Sequence, residues 1–167
     1  MSTAEQSIDV NVDVTTAYDQ WAQFESFPQW MEGVASVEQI DDTRLHWVAK
    51  VKDEVATVEN ETREWDARIT EQTRERRISW ESLGERPDEQ PNAGRVSFAP
   101  LGASACRVTF RIEWQPEAAL AANESYLLAA VNQVVAADLG RFKDFIEARG
   151  EETGAWHGEK LVRASTA

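Results

Sequence analysis

The stretch 120–149, LAANESYLLAAVNQVVAADLGRFKDFIEAR, decides how the rest of the chain must be arranged. Leu127, Leu128, Val131, Val134, Val135, Leu139, Phe142, Phe145 and Ile146 recur at the i, i+3, i+4, i+7 spacing that gathers side chains into one stripe of a helix. Gly150 then stops it. A stripe of that length needs an apolar surface to cover. Upstream the period is mostly two, so the partner surface is a sheet.

Ser7 to Val14, SIDVNVDV, alternates cleanly, with Ile8, Val10, Val12 and Val14 on one face. Thr15 and Thr16 offer a helix N-cap, and Ala17, Tyr18, Trp21, Ala22 and Phe24 form a short helical stripe to Ser26. FPQWMEG reads as a second short helical turn ended by Gly33. VASVEQI and TRLHWVAKV form a hairpin turned at Asp41-Asp42. Lys52 to Asn60 reads as a turn and the frayed start of the strand that firms up over 61–71, ETREWDARITE. ERRISWESL is a further strand, 84–94 a loop by its breakers, and GRVSFAPLG with SACRVTFRIEW a closing hairpin. The order is strand, two short helices, about six strands in meander and one long helix. That is an α+β two-layer domain over residues 1–150, with 151–167 as a C-terminal tail from which Trp156 could fold back.

The bulk numbers exclude several classes. The chain has 167 residues, of which 42% are hydrophobic, and no run is apolar enough to span a membrane. The start MSTAEQSIDV has no secretory pattern, and the single Cys106 fits a reducing cytoplasm. With 30 acidic against 17 basic residues the net charge is -13, which disfavours nucleic acid and anionic membrane surfaces. The one basic cluster, Arg74, Arg76 and Arg77, interleaves with Glu75 and reads as a solvated turn. His46 faces outward and His157 lies in the tail. Cys106 faces inward as a small hydrophobe with no histidine placed to activate it. Neither a metal-ligand spacing nor a phosphate-binding glycine loop occurs, so no metal or cofactor is expected.

Two residues break the helical stripe's rule. Asp138 falls near its middle, where a buried carboxylate needs donors such as indole N–H groups, Tyr18 or a ligand hydroxyl. On the other reading the helix turns it toward water and Arg141 at i+3. Asn132, at the flank, is either a polar anchor in an apolar cavity or a surface residue. The sheet's apolar face carries Trp47, Trp65, Trp80, Phe98, Phe110 and Trp114. Aromatic rows at strand spacing serve as core whether or not a ligand is bound.

SIDVNVDVTTAYDQWAQFESFPQWMEGVASVEQI, REWDARITE and DLGRFKDFIEARG together resemble the START-like SRPBCC superfamily, in its polyketide cyclase/dehydrase and coenzyme-Q-binding type. The similarity spans about Ser7 to Gly150. It implies a helix-grip fold, a curved antiparallel sheet of about six to seven strands wrapped around the C-terminal helix and enclosing an elongated apolar pocket. It also implies a hydrophobic ligand such as a lipid, sterol, quinone or polyketide. The ligand would lie against the six sheet aromatics and Val131, Asn132, Val135, Asp138 and Phe142. Trp30 and Met31, at the end of the second short helix, are either gate residues or a seal for the core. The bulk of the tryptophans makes any such pocket narrow. Family members that act as cyclases use an arginine at the position occupied here by Ile69, while the adjacent Arg68 should point outward; their helix asparagine aligns with Asn132. The resulting expectation is a cytoplasmic carrier of a hydrophobic small molecule. A cyclase, aromatase or dehydratase using Asp138 is the alternative, and a protein partner or homodimer is left open.

Overall fold

The computed structural model describes residues 2–50, 62–85, 91–115 and 124–151, with the side chains of the long helix described from Leu128 onward. Seven strands make one antiparallel sheet: β1 (Ser2–Val10), β2 (Val34–Gln39), β3 (Arg44–Lys50), β4 (Thr62–Thr73), β5 (Arg77–Ser82), β6 (Asn92–Gly102) and β7 (Ala105–Trp114). Their order across the sheet is β1-β7-β6-β5-β4-β3-β2. Consecutive strands from β2 to β7 are neighbours, as hairpin-length connections require. β1 closes the opposite edge by pairing with β7. The sheet curves around the C-terminal helix α2 (Glu124–Arg149) in the helix-grip arrangement. Register shifts at Val34/Ser36, Ile69/Glu71 and Pro100/Gly102 help bend the strands.

The first strand differs from its sequence reading. Pairing runs from Ser2↔Trp114 to Val10↔Cys106, so the strand starts five residues before Ser7 and stops at Val10. Val12 is buried in the connection, and Val14 opens helix α1 (Val14–Trp21). The alternation of valines outlasts the strand because the connection also faces the core. The cap of α1 is Asp13, whose carboxylate accepts the Thr16 N–H at 3.2 Å, in place of the expected Thr15 or Thr16. A 3-10 helix over Phe24–Gln29 follows, with Pro28 inside it. β6 begins at Asn92, inside the stretch expected to be loop.

The hairpin turn is where Asp41-Asp42 places it, with Asp41 accepting the N–H groups of Thr43 and Arg44 at 2.8 and 2.9 Å. The Arg74–Arg76 turn joins β4 and β5, and Glu75 there accepts the Thr15 hydroxyl at 2.7 Å. The segment Lys52–Asn60, the helix residues 120–123 and Trp156 lie outside the described residues.

The meander gives the sheet two distinct margins. Ser2, Lys50, Thr62, Asn92 and Trp114 all stand at one, as the pairs Ser2↔Trp114, Lys50↔Thr62 and Asn92↔Trp114 require. The other holds the hairpin turns and α1. Helix α2 begins at the first margin and runs along β1 toward the second. Lys143 Nζ donates to the Asp9 carbonyl at 3.0 Å, and Glu147 accepts the Asn11 N–H at 2.9 Å. On the other edge, Glu25 of the 3-10 helix accepts the Gln39 N–H of β2 at 3.3 Å.

Candidate functional site

The inner face of the sheet is apolar: Leu45, Trp47, Ala67, Ile69, Ile78, Trp80, Val96, Phe98, Val108 and Phe110 are all buried. What fills the space between it and α2 is a series of which the sequence reading placed only Trp30 at the site. Trp21, Phe24, Phe27 and Trp30 follow at every third residue: Trp21 ends α1, Phe24 and Phe27 share one face of the 3-10 helix with its three residues per turn, and Trp30 caps it. All four are essentially fully buried. Trp21 packs on Phe110 at 5.1 Å between ring centroids, Trp30 on Phe142 at 5.3 Å, and Phe27 on Trp47 at 5.6 Å. The exact threefold spacing was the available signal.

Trp30 is 1% exposed and Met31 is buried beside it. Trp30 contacts the rings of Trp21, Phe27, Phe142 and Phe145 and belongs to the core. Trp47 and Trp65, directly opposite each other on β3 and β4, lie parallel at 5.9 Å with 4° between their planes. Trp80 also stacks on Trp47, at 5.7 Å. Gly94 leaves room for that indole: a Cβ there would stand 2.4 Å from the Trp80 ring.

Burial is uneven. Val135, Leu139, Phe142 and Ile146 of α2 are buried, whereas Val134 is 51% exposed, so the stripe is narrower than its valines suggest. Leu128 and Val131, in the early turns of α2, are half-buried, as are Trp65, Ile112 and Trp114. These five share the margin where α2 begins. They form the loosely covered end of the interior.

Asp138 takes one part of each sequence reading, the burial of the first and the Arg141 pairing of the second. It is 6% exposed, and it forms an ion pair with Arg141 one turn on. The Glu32 N–H also donates to it at 3.4 Å, while Arg141 Nε donates to the Trp30 carbonyl at 3.0 Å. Its donors are therefore a guanidinium and a backbone amide. Burial pushes its carboxyl above the ordinary aspartate range, and Arg141 opposes that shift in part. Asn132 is half-buried, accepting from Gln6 Nε2 at 2.9 Å and donating to the Leu128 carbonyl at 3.0 Å. That ties α2 to β1.

Ile69 is buried on the inner face, and Arg68 points outward to Glu81 at 3.0 Å. His46 also faces outward, its two ring nitrogens 2.6 Å from Asp66 and 2.9 Å from Glu64, which raises its pKa. Burial pushes the Cys106 thiol up to about 11, so it is no nucleophile. Among the described residues no cluster of His, Cys, Asp or Glu suits a metal ion. A separate depression of about 200 Å³ is lined in part by Ser79, Glu81, Arg95, Arg111 and Glu113. No helix among the described residues is long and apolar enough to cross a membrane.

A sheet gripping a helix over an aromatic interior defines the START-like class. The chain belongs to the polyketide cyclase / dehydrase and lipid transport family, whose model matches residues 10–145. It is 41% identical over 158 residues to an uncharacterised 17.2 kDa protein of Streptomyces lincolnensis, covering 95% of this chain and 98% of that one. A crystal structure from Deinococcus radiodurans superposes with a TM-score of 0.66 at 25% identity, covering 86% of this chain and 95% of the other. The Zhui aromatase/cyclase from a Streptomyces species gives 0.65 at 15% identity, covering 89% and 94%. The last likeness is one of fold.

Proposed function

We propose that the chain binds or carries a hydrophobic small molecule between the inner face of the sheet and α2. The observation that carries this reading is the half-buried apolar margin formed by Trp65, Ile112, Trp114, Leu128 and Val131. These side chains offer a ligand apolar area that is still partly wet, whereas Trp21, Phe24, Phe27 and Trp30 already fill the interior beside α1. The ligand enters at that margin and lies against Trp65, at the open end of the Trp47–Trp65 row. Family membership supports the same ligand class.

Organic extraction of purified protein followed by native mass spectrometry tests the proposal. A co-purifying hydrophobic species, or saturable quenching of tryptophan fluorescence by a quinone or fatty acid, is the expected result. A homogeneous apo chain whose fluorescence none of these ligands changes would overturn it.

A cyclase or dehydratase is the second reading, and the raised pKa of buried Asp138 is the observation in its favour. Against it stands Ile69 in place of the cyclases' arginine. Turnover unaffected by Asp138→Asn would remove it.

A further inference from the structure

The inner tryptophans carry more than apolar area. The Nε1 atoms of Trp21, Trp30, Trp47 and Trp65 are buried and have no hydrogen-bond partner among the described residues. An indole nitrogen only donates, and a buried donor without an acceptor destabilises the fold until something supplies one. The four fall into two pairs with different surroundings. Trp21 and Trp30 sit edge-on to neighbouring rings, Trp21 to Phe110 at 73° and Trp30 to Phe142 at 64°. Edges in that geometry approach electron-rich ring faces, which answer a donor weakly. Trp47 and Trp65 are parallel, so neither in-plane N–H can address the face of the other.

The two polar side chains that α2 turns toward the sheet already have donors of their own. Asp138 takes the Arg141 guanidinium and the Glu32 N–H, and the Asn132 carbonyl oxygen takes Gln6. The floor around Trp47 and Trp65 presents two donors on neighbouring strands with no acceptor among the described residues. Trp65 stands at the half-buried margin, where a ligand would arrive.

Building on the carrier reading, we infer that Trp47 and Trp65 are specificity-determining donors and that the ligand is a flat, ring-bearing molecule presenting a carbonyl-type acceptor oxygen to them. Its flat part lies alongside the stacked indoles, and its oxygen completes the N–H groups that have no partner among the described residues. A hydroxyl in the same place binds less well, because its own proton then finds no acceptor. A pure hydrocarbon leaves both indole donors as they were.

The matched probes fluorene, 9-fluorenone and 9-fluorenol separate these cases, since they differ only at one carbon. Calorimetric titration of the full chain should rank fluorenone above both others by roughly tenfold, the scale of one buried donor regaining its partner. In a ¹⁵N-edited spectrum of the indole region, fluorenone should move the Trp47 and Trp65 N–H protons downfield, and fluorene should not. Replacing both residues by benzothienylalanine, which keeps ring shape and removes the donor, should bring the fluorenone-to-fluorene ratio toward one. Equal affinity for ketone and hydrocarbon, or a ketone preference that survives the double replacement, overturns the inference. So does binding of a fatty acid with none of the three probes, an outcome that leaves the carrier reading standing. Failure of every hydrophobic ligand would remove both.

Discussion

The two ends of the interior are built from the same residue types and have opposite degrees of completion. At the end nearer α1, Trp21, Phe24, Phe27 and Trp30 interlock with Phe110 and Phe142 and exclude water. At the margin where α2 begins, Trp65, Ile112, Trp114, Leu128 and Val131 keep partial exposure. Aromatic content therefore does not itself mark a binding site. What separates core from candidate site is whether the ring faces are already covered by other rings.

Truncations at the two ends test that contrast most severely. Trp30→Ala should lower the unfolding free energy by about 3–5 kcal/mol in urea denaturation, because it opens a cavity among four other rings. Trp114→Ala should cost less than about half of that, since its ring is already partly hydrated. Equal losses would erase the distinction. Gly94→Ala should cost about 1–3 kcal/mol through the clash with Trp80, and should blue- or red-shift the tryptophan emission as that indole is displaced.

Asp138 gives a smaller effect with a definite sign. Its folded pKa is raised, so the folded chain keeps the proton to higher pH than the unfolded chain does. The stability associated with it is full below the ordinary value of 3.8, falls as pH climbs through the raised folded value, and then levels. Asp138→Asn should remove that slope from a series of urea midpoints, a difference of about 1 kcal/mol. A slope unchanged in the variant would place the titration elsewhere.

His46 should give the smallest effect, and it lies outside both ends of the interior. Hydrogen bonds to Asp66 and Glu64 raise its pKa above 6.5. The stabilisation is present below 6.5 and is lost as pH rises through the folded value. His46→Gln should flatten that step, which is worth under about 1 kcal/mol on a partly exposed face.

The sheet was legible in the sequence because alternation survives wherever one strand face is wet. It failed at β1, where Ser2, Ala4 and Gln6 face inward without being large hydrophobes; Gln6 belongs there because Asn132 meets it across the interface. Alternation also cannot tell a strand from a buried connection, which is why Val12 and Val14 read as strand. The long helix was legible, but its rotation was not. Val134 is turned out while Asp138 is turned in, since Arg141 travels with the carboxylate and makes its burial tolerable. The candidate site was legible as an aromatic floor, with Trp47, Trp65, Trp80, Phe98 and Phe110 on the inner face. Its plug was missed because Trp21, Phe24, Phe27 and Trp30 were divided between two elements, although one period of three joins them.

The side chains that close the two sheet edges bear on the chain's behaviour at high concentration. A seven-stranded open sheet presents two rows of unused backbone groups, which invite growth by strand addition. Lys143 occupies a carbonyl of β1, and Glu25 occupies an amide of β2. The first guard is carried by α2 and the second by the 3-10 helix. Any excursion that lifted either helix from the sheet would therefore uncover a sticky edge together with aromatic surface, coupling local opening to aggregation.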